Sequence, residues 1–400
     1  GRNVATWNSI ICGYIHQERG VEAFGHFRRM LCESLSPNAI TFVCILKACG
    51  ILKDLHKGIE SHAKIVNEEL LKVNMLICTS LVDMYARCHA LARAQRVFDC
   101  LLFHGIVIWT ALIGGYAENG YVKEALECLD EMKQHGVIPD VATLVCGLKA
   151  CGVIGDIKKG QILESEIIIR GFDRDILVGN SLIGMYVKWG MLQDAYAIFQ
   201  NMLVKDVVSC NALISGYAKQ GQGNEALHCF DMMVRDGILP NSVTFLSILK
   251  ACGSIGSLEK GEEMHGHVIK EGLLGKDILL GSAVVDMYTK CGAMSKAQEV
   301  FDQLPIQDVV CWNALISGYA QHGPGEKALS CLDRMQRQGV SPDVITFVCI
   351  LKECCSIRAF EKGKEIHAEI LKEGLLEKHV LVGNALVNMY TKCGELAKAQ

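Results

Sequence analysis

The residues best suited to chemistry in this sequence are histidines and cysteines that recur at fixed spacing. His367-Ala368-Glu369 matches the H-x-E half of a zinc deaminase site, in which the histidine binds zinc and the glutamate moves protons. The other half, P-C-x-x-C, does not occur in the 400 residues. The same slot of the pattern holds His62-Ala63-Lys64 and His265-Gly266-His267. We therefore interpret it as a feature of a recurring helix and predict no catalytic residue in this chain.

The 20 cysteines do not form a metal-binding pattern. Three pairs stand five residues apart, namely Cys44 with Cys49, Cys146 with Cys151, and Cys349 with Cys354. On a helix this spacing separates two side chains by about 140°, so the two members of a pair cannot face the same metal. Cys88, Cys291 and Cys393 share a slot with Trp189, a replacement that packing tolerates and metal ligation does not. The sequence predicts buried thiols in a reducing compartment, with no metal and no cofactor.

Composition and charge narrow the class of protein further. Half of the residues are apolar, which suffices for a packed core and excludes intrinsic disorder. No apolar run reaches the roughly 18–20 residues that span a bilayer, so we predict no membrane contact. The chain carries 40 Lys and Arg against 44 Asp and Glu, a formal charge of −4. Any contact with nucleic acid must therefore be local rather than driven by bulk positive charge.

Internal repetition predicts the architecture. Four prolines, at 37, 139, 240 and 342, recur at intervals of 102, 101 and 102 residues. Trp7, Trp109 and Trp312 follow the same interval, with Cys210 in the corresponding slot between the last two. Each interval divides into spans of 35, 35 or 36, and 31 residues. The twelve predicted spans, in order, are 4–38, 39–74, 75–105, 106–140, 141–175, 176–206, 207–241, 242–277, 278–308, 309–343, 344–379 and the truncated 380–400.

Apolar spacing within each span predicts two amphipathic helices. In span 309–343, Trp312, Leu315, Ile316 and Tyr319 fall at i, i+3, i+4 and i+7, and Ala328, Cys331, Leu332 and Met335 repeat this spacing. Gly323-Pro324-Gly325 marks the turn between the two helices. One such hairpin cannot bury its apolar face alone, so neighbouring hairpins must stack into an α-solenoid.

The repeated sequences resemble those of a known family. WNALISGYA with a G-V-x-P-D ending, TFVCILKACG with GKEIHAEI, and GNALVNMY characterise the 35-, 36- and 31-residue spans. They differ from the tetratricopeptide signature and resemble the pentatricopeptide repeat. The fixed order of three lengths is similar to the P, L and S classes of the PLS subfamily of plant organelle proteins. This resemblance covers residues 4–400.

The resemblance implies a right-handed α-solenoid superhelix that binds single-stranded RNA, one base per repeat, with its amino terminus toward the RNA 5′ end. The fifth and last residues of each repeat select the base: Asn with Asp favours U, Asn with Asn a pyrimidine, and Thr or Ser with Asp favours G. The implied base-reading pairs are Asn8–Asn38, Thr79–Gly105, Thr110–Asp140, Asn180–Asp206, Asn211–Asn241, Ser282–Asp308 and Asn313–Asp343, followed by Asn384, whose partner would lie beyond Gln400.

One S repeat and all four L repeats depart from the family's base-reading pattern. Gly105 has no side chain to reach a base, so only Thr79 would act in its repeat. The L repeats carry aliphatic residues at the fifth position, namely Val43, Val145, Leu246 and Val348. Since aliphatic side chains offer no hydrogen bond, we expect no selection there. The predicted ligand is 5′-YNNGNUYNGUNN-3′, where Y is a pyrimidine and N any base.

Two further sets of residues would supply affinity without base preference. The second residue of a repeat is apolar and would sandwich the base; in the P and S repeats these residues are Ala5, Leu76, Val107, Leu177, Val208, Leu279, Val310 and Leu381. Cations at position 13 would contact phosphates; they are Arg87, Lys188, Lys219, Lys290 and Lys392. An alternative interpretation is that these cations lie on a solvated face. Similarly, the paired polar residues could be helix caps or bonds between helices.

The resemblance further implies a role in site-specific C-to-U RNA editing in a mitochondrion or chloroplast. The tract would position a deaminase, either a DYW-type domain beyond residue 400 or a partner editing protein. RNA stabilisation, splicing or cleavage by the same tract remains an alternative. A peptide-binding solenoid of the tetratricopeptide type is a second alternative. We predict no small-molecule substrate.

Overall fold

The computed structural model describes residues 3–70, 74–101, 103–395 and 398. Within these residues the chain forms 23 α-helices and no strand, which confirms the predicted all-α repeat solenoid. The chain divides into two compact units, Gly1–Val204 and Lys205–Gln400. The predicted second helix of span 380–400 falls partly on residues 396, 397, 399 and 400, which lie outside the described residues.

The first unit contains twelve helices among its described residues. Its odd-numbered helices are α1 Val4–His16, α3 Ala39–Leu52, α5 Met75–Arg87, α7 Ile106–Glu118, α9 Val141–Ile154 and α11 Ile176–Lys188. Its even-numbered helices are α2 Gly20–Cys32, α4 Leu55–Asn67, α6 Leu91–Asp99, α8 Val122–Gln134, α10 Ile157–Ile169 and α12 Leu192–Asn201.

The second unit repeats this arrangement. Its odd-numbered helices are α13 Val207–Lys219, α15 Ser242–Ile255, α17 Ile278–Lys290, α19 Val309–His322, α21 Val344–Ile357 and α23 Val380–Lys392. Its even-numbered helices are α14 Gly223–Arg235, α16 Leu258–Lys270, α18 Met294–Gln303, α20 Gly325–Arg337 and α22 Phe360–Lys372. Each odd-numbered helix begins at the first residue of a predicted span, so we number positions from that residue and refer to it as the first helix of its repeat.

The helices of each unit form two layers. Consecutive first helices pack side by side, from α1 to α11 in the first unit and from α13 to α23 in the second. The second helix of a repeat packs on its own first helix and, in most repeats, on the next first helix of its unit. Successive hairpins therefore cover one another's apolar faces, as expected for a repeat protein.

The predicted apolar faces lie in the core. Trp312, Leu315, Ile316, Ala328 and Met335 have no exposed surface, and the other members of these two faces are buried as well. Trp109 is buried like Trp312, and each packs edge-on against a phenylalanine of the preceding repeat. The ring centroids lie 4.6 Å apart for Trp109 and Phe98, and 4.5 Å apart for Trp312 and Phe301. Such edge-to-face contacts add to the hydrophobic burial that holds adjacent repeats together.

The first three repeats differ from the next three at their helix ends. There, residues with left-handed backbone conformation are Glu18, Ser34, Lys53, Glu69 and His89, with φ between 52° and 59°. The corresponding residues of the next three repeats are all glycines with positive φ. Because a side chain costs about 1–2 kcal/mol in this conformation, the amino-terminal repeats are locally strained.

We predict that the triple substitution Ser34→Gly, Lys53→Gly and Glu69→Gly stabilises the protein. Relief of backbone strain outweighs the entropy that glycine adds to the unfolded chain, giving about 0.5–1 kcal/mol per site. Urea unfolding followed by far-UV circular dichroism measures the change. The matched triple alanine variant keeps the strain, so equal stabilisation by alanine would contradict the prediction.

Candidate nucleic-acid interface

The fifth and last residues of the P repeats are connected by hydrogen bonds, directly in three repeats and through a threonine in the fourth. The Nδ2 amide donates to the Oδ1 atom of the last residue in three repeats: Asn8 to Asn38 at 3.0 Å, Asn211 to Asn241 at 3.1 Å, and Asn313 to Asp343 at 2.9 Å. In the remaining P repeat, Thr143 bridges the pair, because its hydroxyl lies 2.7 Å from both Thr110 Oγ1 and Asp140 Oδ1. Each predicted pair of the P repeats is therefore assembled within one unit.

A threonine of the next helix fixes the orientation of each asparagine. The hydroxyls of Thr41, Thr244 and Thr346 donate to the Oδ1 atoms of Asn8, Asn211 and Asn313 at 2.8, 2.7 and 2.6 Å. The amide oxygen therefore faces the threonine, and the amide nitrogen faces the last residue of the repeat. One of the two N–H bonds is used in that contact, which leaves a second donor at the same nitrogen.

The last residue of the repeat also caps the next first helix. Asn38, Asn241 and Asp343 accept from the backbone N–H of the third helical residue at 2.9–3.1 Å, and each forms a reciprocal capping box with the threonine at that position. Asp140, Asp206 and Asp308 accept from the corresponding backbone N–H of α9, α13 and α19, and Asp206 also forms a capping box with Ser209. The structural roles considered from the sequence, helix capping and bonding between helices, are thus both present.

The pKa of Asp343 lies below the ordinary value for an aspartate. Burial of the carboxyl group opposes ionisation, but hydrogen bonds from the Thr346 backbone, the Asn313 amide and the Thr346 hydroxyl outweigh it. All three donors bond to the Oδ1 atom of Asp343. Since the carboxylate is ionised at neutral pH, it acts there only as a hydrogen-bond acceptor.

The S repeats are less uniform at these positions. Ser282 donates to Asp308 at 3.1 Å but is only 2% exposed, whereas Asn384 is exposed. Thr79 donates to the Met75 carbonyl of its own helix, at 3.0 Å. Gly105 precedes α7 without any side-chain cap, as expected for glycine. Asn180 and Asp206 belong to different units.

Apolar side chains at the second position are exposed throughout. In the P and S repeats the exposed fraction lies between 51% for Val310 and 68% for Leu381, and Ala5 is exposed as well. The second residues of the L repeats are exposed as well, although the sequence did not lead us to assign them a role; they are Ile40, Ala142, Val243 and Ile345. They could have been identified from the sequence, because they occupy the same position in the repeat. Such regularly spaced exposed apolar residues favour a surface that is covered by a ligand.

The predicted phosphate-binding cations are exposed, but two of them are paired with carboxylates. Arg87 Nε lies 3.1 Å from Asp83, and Lys290 Nζ lies 2.8 Å from Asp286, each one turn earlier in the same helix. The Asp83 carboxylate raises the pKa of Arg87. Lys188, Lys219 and Lys392 are exposed. The local positive charge at position 13 is therefore smaller than the sequence indicated.

The histidines and cysteines considered for chemistry have structural surroundings. His62, His265 and His367 each place Nδ1 within 2.7–3.0 Å of a tyrosine hydroxyl on the following first helix. Burial lowers the pKa of His62 and of His265. Twelve of the 20 cysteines are buried, and burial raises the pKa of Cys49 and Cys354 to about 12.

The described residues contain neither a candidate metal site nor a candidate membrane-spanning helix. Across the described part of the chain, three or more His, Cys, Asp or Glu side chains nowhere come together as a metal site would require. Nor does any helix there combine the length and apolarity needed to cross a membrane.

Comparisons with known proteins agree with this geometry. The pattern described as the PPR repeat family matches residues 2–50, 104–152, 205–254 and 307–356, and the pattern described as the PPR repeat matches 180–207, 243–273 and 282–306. The chain is thus an α-helical repeat protein. More specifically, the chain belongs to the pentatricopeptide repeat family.

Similar proteins occur in Arabidopsis thaliana. Two chloroplastic pentatricopeptide repeat-containing proteins are each 34% identical over all of this chain, which covers 46% and 64% of their lengths. A mitochondrial one is 34% identical over 99% of this chain, which covers 38% of it. The chain therefore spans roughly half the length of these curated relatives.

Solved structures show the same fold. The pentatricopeptide repeat protein PPR10 in complex with an 18-nt psaJ RNA element aligns with all of this chain, which covers 63% of it, with a TM-score of 0.68 and 18% identity. PPR10 from maize aligns with a TM-score of 0.57, also at 18% identity, and 68% of it is covered.

We predict that Thr346→Val destabilises the protein by about 1–2 kcal/mol. The substitution removes the donor to the buried Asn313 oxygen and half of the capping box of α21. Thr346→Ser retains both hydrogen bonds and is the matched control, because Ser209 already occupies this slot in the capping box of α13. Urea unfolding compares the two variants, and equal stability would contradict the structural role assigned to this hydroxyl.

Proposed function

We propose that this tract binds single-stranded RNA, one base per repeat, with its amino terminus toward the RNA 5′ end. The observation that carries the proposal is the recurring combination of a hydrogen-bonded polar pair and an exposed apolar residue at the second position. Polar edges select a base, and an apolar surface stacks on it whatever its identity. The structural likeness to PPR10, which was solved in complex with an RNA element, supports this assignment.

The chemistry of the pairs accounts for the proposed base preferences. Asn313 keeps one amide N–H that can donate to a uracil carbonyl oxygen, and the Asp343 carboxylate can accept from the uracil N3–H. In Asn8–Asn38 and Asn211–Asn241, both residues present amide donors, which suits the acceptors of a pyrimidine. Thr110–Asp140 and Ser282–Asp308 offer a carboxylate to the two donors on the Watson–Crick edge of guanine. The resulting ligand is 5′-YNNGNUYNGUNN-3′.

The remaining residues would add affinity without selecting a base. The exposed second residues, from Ala5 to Leu381, would lie on both sides of each base, and the position-13 cations would contact phosphates. Arg87 and Lys290 would contribute less than Lys188, Lys219 and Lys392, because a carboxylate already neutralises them. Binding would then depend more on stacking and base contacts than on net charge.

We further propose that the tract serves site-specific C-to-U editing in a chloroplast or mitochondrion. The fixed order of P, L and S repeats and the organellar relatives support this role. A deaminase would be supplied by a further domain or by a partner protein.

Sequencing organellar transcripts from plants that lack the protein tests the proposed role in editing. Unedited cytidines in intact transcripts support editing. Transcripts that are lost or unspliced instead would favour stabilisation or splicing.

Fluorescence anisotropy tests RNA recognition directly. The protein is titrated, at one stated salt concentration, into the predicted 12-mer with adenine at unspecified positions. The control RNA has the same composition, with its two G and two U positions exchanged. If each of the four mismatches costs about 1–3 kcal/mol, as in DNA sites, the control binds at least ~1,000-fold more weakly. Equal, weak binding of both RNAs would contradict base recognition and favour a peptide ligand.

A further inference from the structure

Each L repeat carries a lysine at the same position of its first helix, and the proposed function assigns this lysine no role. Position 9 of the first helix is lysine in all four L repeats, namely Lys47, Lys149, Lys250 and Lys352. All four side chains are exposed. Among the described residues, none of them forms an ion pair with a carboxylate. Each unit thus has two uncompensated positive charges on its L repeats.

These lysines lie on the same face as the exposed apolar residues. At 100° per residue, positions 2, 9 and 13 of a first helix fall within about 40° of one another. In the first L repeat, Ile40 at position 2 is 57% exposed, whereas Leu46 and Ala48, which flank Lys47, are fully buried. The lysine therefore shares the surface to which the bases are assigned rather than the core or the outer layer.

The cation changes position between L and S repeats by one helical turn. The S repeats have Arg or Lys at position 13 and no cation at position 9, where Asp83, Gly184, Asp286 and Asn388 stand. The L repeats have the opposite arrangement, with Ile51, Val153, Ser254 and Ser356 at position 13. Every L and S repeat therefore presents one cation to this face. Within the described part of the chain, none of the four L-repeat cations forms an ion pair, whereas Arg87 and Lys290 of the S repeats do.

We propose that Lys47, Lys149, Lys250 and Lys352 bind the phosphodiester backbone of the RNA at the L repeats. The inference rests on the proposed function and deepens it, because it assigns the L repeats a role that does not depend on base identity. Their aliphatic fifth residues cannot select a base, whereas an ammonium group binds any phosphate. The tract would thus combine base-reading P and S repeats with an electrostatic contact at every third nucleotide.

The salt dependence of binding tests this proposal. The quadruple variant Lys47→Gln, Lys149→Gln, Lys250→Gln and Lys352→Gln is titrated with the 12-mer at several salt concentrations. Each phosphate contact to a single strand contributes about 0.7 to the slope of log K against log salt, so the slope should fall by about 3. Affinity for the matched and exchanged RNAs should fall by the same factor, leaving base discrimination unchanged.

A matched variant controls for net charge. Lys64→Gln, Lys158→Gln, Lys270→Gln and Lys372→Gln remove four exposed lysines from the second helices of the same L repeats. This control should retain the slope of the unmodified protein, and thermal melts verify that both variants fold. An unchanged slope in the position-9 variant, or an equal loss in the control, would overturn the proposal. Failure of the unmodified protein to distinguish the two RNAs would instead overturn the proposed function.

Discussion

The amino terminus of every first helix needs hydrogen-bond acceptors, because its first four N–H groups have no partner within the helix. In this protein the last side chain of the preceding repeat supplies one of them, as Asn38, Asn241 and Asp343 do. The same side chain bonds to the fifth residue of its own repeat. The capping requirement therefore holds the proposed base-reading pair in one geometry, and the pair is ready before any ligand arrives. Removing such a side chain would affect folding and recognition together.

In the proposed complex this arrangement would separate selectivity from affinity. The polar pairs are recessed, since Asn8 and Asn313 are less than a tenth exposed, whereas the apolar second residues are more than half exposed in most repeats. A base that stacks between two of these apolar residues would gain affinity whatever its identity, and only its edge would reach the polar pair. Charge would play a smaller part, in agreement with the formal charge of −4. The unpaired lysines of the L repeats, together with Lys188, Lys219 and Lys392, would make the main electrostatic contribution.

Spacing alone predicted the fold, because apolar residues at i, i+3, i+4 and i+7 determine which helix face is buried. The family resemblance, rather than spacing, indicated that the second residues form a surface, and they are exposed. Solvent exposure of each polar residue was not predictable: Ser282 is almost fully buried and Asn211 is half-buried, a difference set by neighbouring helices. The pairing of Arg87 with Asp83 depends on rotamers that spacing does not specify. The position-9 lysines were not predicted to contact RNA, because only cations at position 13, two helical turns beyond the fifth residue, were assigned to phosphates.

The most direct test of base recognition is the ratio of affinities for U and C at the tenth nucleotide, measured with Asp343→Asn. The variant exchanges a carboxylate acceptor for an amide donor, and Asn38 and Asn241 cap their helices with the same bonds, so the fold should be retained. The account predicts that the preference for U at this nucleotide decreases in favour of C, while preferences at the other nucleotides stay unchanged. An unchanged ratio at the tenth nucleotide would contradict the proposed reading of that base by Asn313 and Asp343.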